Sequence, residues 1–240
     1  MNSSGLQLAI KYALPPCRLG FCGPQEEARR QTLYGFVVGE DAGEEKIRKT
    51  LEGFEAMYPY LRLIASENGV SDPFEREVVE ALWVGNDLLD GVRVESLKKL
   101  ILTDFVKPRL LTMDEAKDRA LRVVDGVVPH HSFHVLVLGS ITGKVDLSGP
   151  LREICRIGWG KVLRVGEGKV RIRFRPLKLE ALTLGEEREK EVDWDSRVTP
   201  GVSTGDYVSF HWGRVCDVLE PEGIESLEKY TKRTLNALNR

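Results

Sequence analysis

Between Lys169 and Arg175 the chain sets Val170, Ile172 and Phe174 between Lys169, Arg171, Arg173 and Arg175. A period of two marks a strand that buries one face and leaves the other in water. Gly166-Glu167-Gly168, just ahead of this run, predicts a tight hairpin back to a strand over Gly160–Val165. Further runs over Lys190–Trp194, Asp206–Trp212 and Arg214–Leu219 bring the count to about five strands, and short strands with Gly-rich turns fit an antiparallel OB-type β-barrel over residues 155–219.

The chain ahead of it has another period. Ser4 caps a helical stripe of Leu6, Ala9, Ile10 and Ala13, which Pro15-Pro16 is expected to end. Pro24 opens a helix to about Val38, Ile47, Leu51 and Phe54 form a stripe, and Tyr60–Ser66 is a further short helix. Asp72–Trp83 and Val94–Phe105 follow, and Thr112 with Glu115 spells a capping box. Val135–Leu138 reads equally as a strand or a buried helix start, and Gly139–Pro150 is the natural linker. Glu222–Asn239 closes the chain as an amphipathic helix. The expected class is α+β: an all-helical N-terminal domain over 1–150, which includes a His-rich segment and the linker, then 151–240 as a five-stranded antiparallel OB-type barrel with a C-terminal helix.

A chain of 240 residues, 42% hydrophobic and 30% charged, can build two soluble cores. Its net charge of −2 argues against nucleic-acid binding by bulk electrostatics. It has neither a membrane-length apolar run nor a signal sequence, which predicts a cytoplasmic protein whose four cysteines are thiols. Walker, GxGxxG and HExxH motifs are absent, which removes nucleotide binding and zincin-type hydrolysis as leading options.

Metal-ligating residue types fall in three groups. Cys155 stands at the barrel entrance, and in the strand Asp206–Trp212 the apolar Val208, Phe210 and Trp212 leave His211 on the outward face. A thiolate with an imidazole suits a borderline metal such as iron or zinc and leaves coordination positions open; the ordinary alternative is a packed cysteine and a surface histidine. His130, His131 and His134 gather three of the four histidines within five residues, so that two nitrogens can reach one ion from a helix or a strand. Cys17 and Cys22 lie in a Pro- and Gly-rich loop as a thiol pair or as packing residues. Asp87, with Asn86 and Asp90, offers oxygen ligands or helix caps.

The order Cys155-x-x-x-x-Gly160-Lys161-Val162, a Gly-turned hairpin, then Gly205-Asp-Tyr-Val-x-x-His211-x-Gly213 resembles the HypC family of hydrogenase-maturation chaperones over the last third of the chain. That resemblance implies an OB-type barrel in which Cys155 and His211 handle iron. The iron would be carried as a cyanide- and carbon monoxide-ligated fragment during assembly of nickel-iron hydrogenases. The implied partners are hydrogenase maturation proteins and the hydrogenase large subunit. Two departures are visible: Cys155 lies inside the polypeptide instead of after the initiator Met, and Trp159 stands where a Pro is usual. The whole chain, through Cys22-Gly23-Pro24, Gly85–Asp90 and Pro129–Val135, also resembles a family of hydrogenase-associated proteins with no assigned activity, which suggests that its two parts act as one unit.

The leading expectation is therefore a metal-centre assembly factor. Beside it stand a metal-dependent enzyme acting on a small one-carbon substrate through His130, His131, His134 and Asp87, and an OB-fold single-strand binder reading nucleic acid through Lys169, Arg171, Arg173 and Arg175. The last lacks aromatic partners on the same face. Two geometric expectations follow. Cys155 and His211 should be neighbours on the barrel surface, and the three clustered histidines should face the junction between the two parts.

Overall fold

A computed structural model describes residues 4–239, so the outermost ends of the 1–150 and 151–240 units lie outside the described residues. The N-terminal part is helical: α1 Gly5–Arg18, α2 Glu27–Val37, α3 Glu44–Glu52, α4 Tyr58–Glu67, α5 Arg76–Trp83, a 3-10 turn at Asp87–Gly91, α6 Val94–Thr103 and α7 Met113–Leu121. The caps read from the sequence form. The Ser4 hydroxyl accepts from the Gln7 N–H while the Gln7 side chain accepts from the Ser4 N–H, and Thr112 and Glu115 make the same reciprocal pair.

Two local expectations are corrected and one open alternative is resolved. α1 does not end at Leu14 but continues through Pro15 and Pro16 to Arg18. Proline is tolerated there because its fixed φ suits a helix; the cost is a missing N–H, which leaves the carbonyls four residues back, those of Lys11 and Tyr12, without their helical donors. α2 begins at Glu27, later than Pro24. The apolar run before the linker, open in the sequence between a strand and a buried helix start, is helical: α8 (His131–Phe133) passes into a π-helical turn, His134–Leu138, closed by the Gly139 N–H on the His134 carbonyl at 2.9 Å.

After α9 (Leu151–Cys155) come β1 Gly158–Val165, β2 Lys169–Phe174, β3 Leu177–Lys178, β4 Thr183–Leu184, β5 Arg188–Asp193, β6 Tyr207–His211 and β7 Arg214–Leu219, then α10 Pro221–Leu238. β3 and β4 form a small separate hairpin that period-two reading misses, because two residues carry no alternation. The other five strands close in the order β1-β2-β5-β7-β6. The sheet is mixed and not wholly antiparallel as expected, since β5 meets β7 in parallel at Asp193 and Arg214. Closure dictates this: an odd number of strands cannot alternate in direction all the way around a ring. Val162, Val170, Ile172, Val192, Val208, Phe210 and Val215 fill the interior.

α1 is the element that joins the two parts. It is buried along almost its whole length, Lys11 pairs with Asp217 of β7 at 2.9 Å, and the Tyr12 hydroxyl bonds the Ser209 hydroxyl of β6 at 2.7 Å. A single apolar core runs from the helices into Ile157, Cys216, Leu219, Leu227 and Tyr230, so the outer face of β6 and β7 is packed instead of solvated. α10 takes Pro221 in its first turn, buries Leu227, Tyr230 and Leu235, and sets Thr231 against Ser132 at 3.2 Å between hydroxyl oxygens. Among the described residues no helix is long and apolar enough to cross a membrane.

Candidate metal centre

Three short backbone events carry the site. His130 is the N-cap of α8, where its Nδ1 accepts from the Ser132 N–H, and this starts the helical turn that holds His131 and His134 on one side. Cys155 ends α9. The Trp212 N–H bonds the Ile154 carbonyl at 3.0 Å, tying the β6–β7 turn to α9 and so bringing His211 to Cys155.

That turn departs from the expected strand. Trp212 and Gly213 form a two-residue hairpin loop with φ of 50° and 72°, the signs a type I′ turn requires. Gly213 meets this without cost, whereas a bulky residue with positive φ is strained. Trp212 leaves the alternation with Val208 and Phe210 as a result, and its ring packs at a tilt against Phe21, with centroids 4.6 Å apart.

The ligand atoms of His131, Cys155 and His211 lie within 4.8 Å of one another, and all three residues are buried. Cys155 and His211 are thus neighbours as expected, and His211 does point out of the barrel. The surface location is corrected: α1 and the His131 segment cover that face, leaving His211 1% exposed. His130, His131 and His134 are likewise buried where the helical layer meets the barrel and α10.

The imidazoles of His211 and His131 have their tautomers fixed by backbone. His211 Nδ1–H donates to the Tyr12 carbonyl at 2.7 Å, and His131 Nε2–H donates to the Cys155 carbonyl at 3.0 Å. A carbonyl only accepts, so the lone pairs are on Nε2 of His211 and Nδ1 of His131. Nε2 of His211 is buried and has no hydrogen-bond partner among the described residues. A ligand histidine that donates its other N–H to a carbonyl is the usual arrangement at a metal.

Burial keeps the set neutral. It lowers His211 to about 4 and His131 well below its ordinary value, with the neighbouring His211 and His134 adding to the effect on His131. Burial also pushes the Cys155 thiol up to about 12, opposed by the Trp212 indole beside it. Two neutral imidazoles and one thiol fit a borderline divalent ion such as iron or zinc, with the thiolate as the counter-charge.

A cavity of about 50 Å³ adjoins these three residues, lined mainly by apolar side chains together with Cys22, Trp83, His134, Ser140 and Trp212. Cys22 and His134 therefore reach the chamber without joining the three-atom set; His134 is held through Nδ1 by the Tyr60 hydroxyl at 3.1 Å. The remaining candidates lie elsewhere. His130 packs beside Tyr230 with ring centroids 6.0 Å apart, Cys17 directs its thiol to the Pro24 carbonyl at 3.8 Å, and Asp87 is 98% exposed and pairs with Lys229. In the basic row of β2, Arg171 and Arg173 pair across the sheet with Glu191 and Glu189 of β5. The sequence reading missed the Tyr12 carbonyl, Trp83 and Ser140; for the first a signal existed, because Pro16 deprives Tyr12 of its helical donor.

Over residues 1–240 the chain belongs to a family of unknown function, DUF6390. No curated protein and no solved structure matches it.

Proposed function

We propose that this protein binds one transition-metal ion through His131, Cys155 and His211 and serves in assembly of a metal centre, as the HypC chaperones it resembles do. One observation carries the reading: the two residues of that motif, more than fifty positions apart in sequence, come within ligand distance of each other and of a third ligand from the helical part. The strand order, with the last strand between the third and fourth of the ring, supports an OB-type barrel. Iron, as a fragment carrying small exogenous ligands, is the first cargo to test and zinc the second. The partners on this reading are hydrogenase maturation proteins and the large subunit, and four free cysteines are in keeping with the cytoplasm.

Because the ligands are buried, loading and release require the α1–barrel contact or the loops around the cavity to open. A second reading, an enzyme acting on a small one-carbon substrate, has the enclosed cavity in its favour, although Asp87 is too exposed to share that chamber.

The test is elemental and infrared analysis of anaerobically purified protein, followed by Fe²⁺ or Zn²⁺ reconstitution. The proposal expects about one metal per chain, lost in Cys155→Ala and in His211→Ala while the melting transition is retained. Protein that stays empty after reconstitution, or variants that bind as the parent does, would refute it. Transfer of iron from loaded protein to a metal-free hydrogenase large subunit separates the assembly reading from the enzymatic one.

A further inference from the structure

Four buried polar atoms around one small chamber lack hydrogen-bond partners among the described residues: His211 Nε2, Trp83 Nε1, Trp212 Nε1 and Ser140 Oγ. Their residues all line the 50 Å³ cavity beside the metal-capable set. Leaving a buried donor unsatisfied costs about 1–3 kcal/mol, and native proteins hold few such atoms. A metal accounts for His211 Nε2, an acceptor by its tautomer. It does not account for the other three.

Those three have one chemistry in common. Indole nitrogen only donates, and a hydroxyl can. Among the described residues no carboxylate lines the chamber, and its remaining walls are largely apolar, from Phe21, Phe54, Met57 and Ile141. A divalent ion bound by one thiolate and two neutral imidazoles keeps one net positive charge, which walls of this kind do not neutralise. Donors without acceptors, beside an uncompensated positive charge, select an anion. The size is also limited: one water needs about 10–15 Å³ of such volume, so the chamber takes a few heavy atoms at most.

We infer that the cavity is a subsite for a compact monoanion of about three heavy atoms, bound at the open coordination position of the metal and held by hydrogen bonds from Trp83 and Ser140. This rests on the metal-binding reading above and adds the class of ligand that completes the centre. The single Trp212 N–H lies beside the Cys155 sulfur and is taken up there, which leaves Trp83 and Ser140 as the donors of the subsite. Trp83 stacks on Tyr12 at 5.4 Å and meets the His131 ring at 4.5 Å, so its position is fixed by the elements that carry the ligands.

Azide is the probe. The full chain is loaded with Co²⁺, whose visible spectrum reports its ligands, and azide is titrated in. The expected result is a saturable change in the Co²⁺ bands for the parent. In Ser140→Ala and Trp83→Phe, azide affinity falls by about tenfold each, the loss of one hydrogen bond to a charged acceptor, with Co²⁺ affinity within about twofold of the parent. Trp83→Phe keeps the ring packing, and Ser140→Ala covers the case in which Trp83→Phe fails to fold. A Co²⁺ spectrum that azide leaves unchanged, or equal azide affinity in parent and variants, overturns the subsite and leaves the metal site standing. Absence of Co²⁺ bands altogether overturns both.

Discussion

The Tyr12 carbonyl accepts from His211 Nδ1–H at 2.7 Å, and it is free to do so because Pro16, four residues on, has no N–H to offer it. A helix irregularity in α1 thus sets the tautomer of His211 on β6. In Pro16→Ala the restored N–H competes for the Tyr12 carbonyl and His211 loses its orientation. Metal affinity is expected to fall by about 10–100-fold, the usual cost of losing a ligand's outer partner, while the melting temperature stays level or rises because alanine is the better helix former. Competition titration against a chelator, with a thermal melt in parallel, checks it; unchanged affinity would show that Tyr12 does not position His211.

Much of this was legible in the sequence, though unevenly. The β2 alternation, the Thr112 capping box and the pairing of Cys155 with His211 each depend on local period or on a motif, and such signals survive folding. His131 as the third member of the cluster was visible only as one of three candidates, because the choice among His130, His131 and His134 rests on a π-turn and on α10 packing behind it. The burial of His211 was not legible either. Strand periodicity separates two faces but does not say whether a helix covers the outer one, and here α1 does.

Arg156 is fully buried, donates to Glu153, to the Ile157 carbonyl and to the Arg175 carbonyl, and lies over the Trp159 ring. Glu153 also accepts from the Leu177 N–H at 2.9 Å, so the pair clamps α9, and with it Cys155, onto the barrel. Arg156 is buried but Glu153 is 20% exposed, so removing the arginine costs about 1–3 kcal/mol, the penalty of leaving its partners unmet. Arg156→Leu should lower stability by that order in urea unfolding and weaken metal binding with it. An effect below about 1 kcal/mol, the range of exposed pairs, would mean the clamp is not structural.

The buried histidines make the metal-free protein sensitive to acid. His130, His134 and His211 are each lowered by burial to about 4, against about 6.5 in the unfolded chain. Between those values the unfolded state binds more protons than the native one, so their contribution is complete above pH 6.5 and is lost as pH falls to 4, by roughly 3 kcal/mol per site. Thermal melts should drop steeply across that window. His130→Asn, which keeps an N-cap acceptor for the Ser132 N–H but cannot take up the proton, should flatten the slope; a slope identical to that of the parent would remove His130 from the account.

Metal binding should be coupled to protons in a countable way. At pH 7 the imidazoles of His131 and His211 are already neutral and give up nothing, whereas Cys155, held by burial near 12, must lose its proton to act as a thiolate ligand. Loading is therefore expected to release about one proton per ion, and affinity to rise about tenfold per pH unit between 6.5 and 8. Calorimetric titration with Zn²⁺ in buffers of different ionisation enthalpy measures the number directly. Release near zero would mean that the thiol stays protonated and that the ion is held without Cys155; in Cys155→Ala the release should vanish together with most of the affinity.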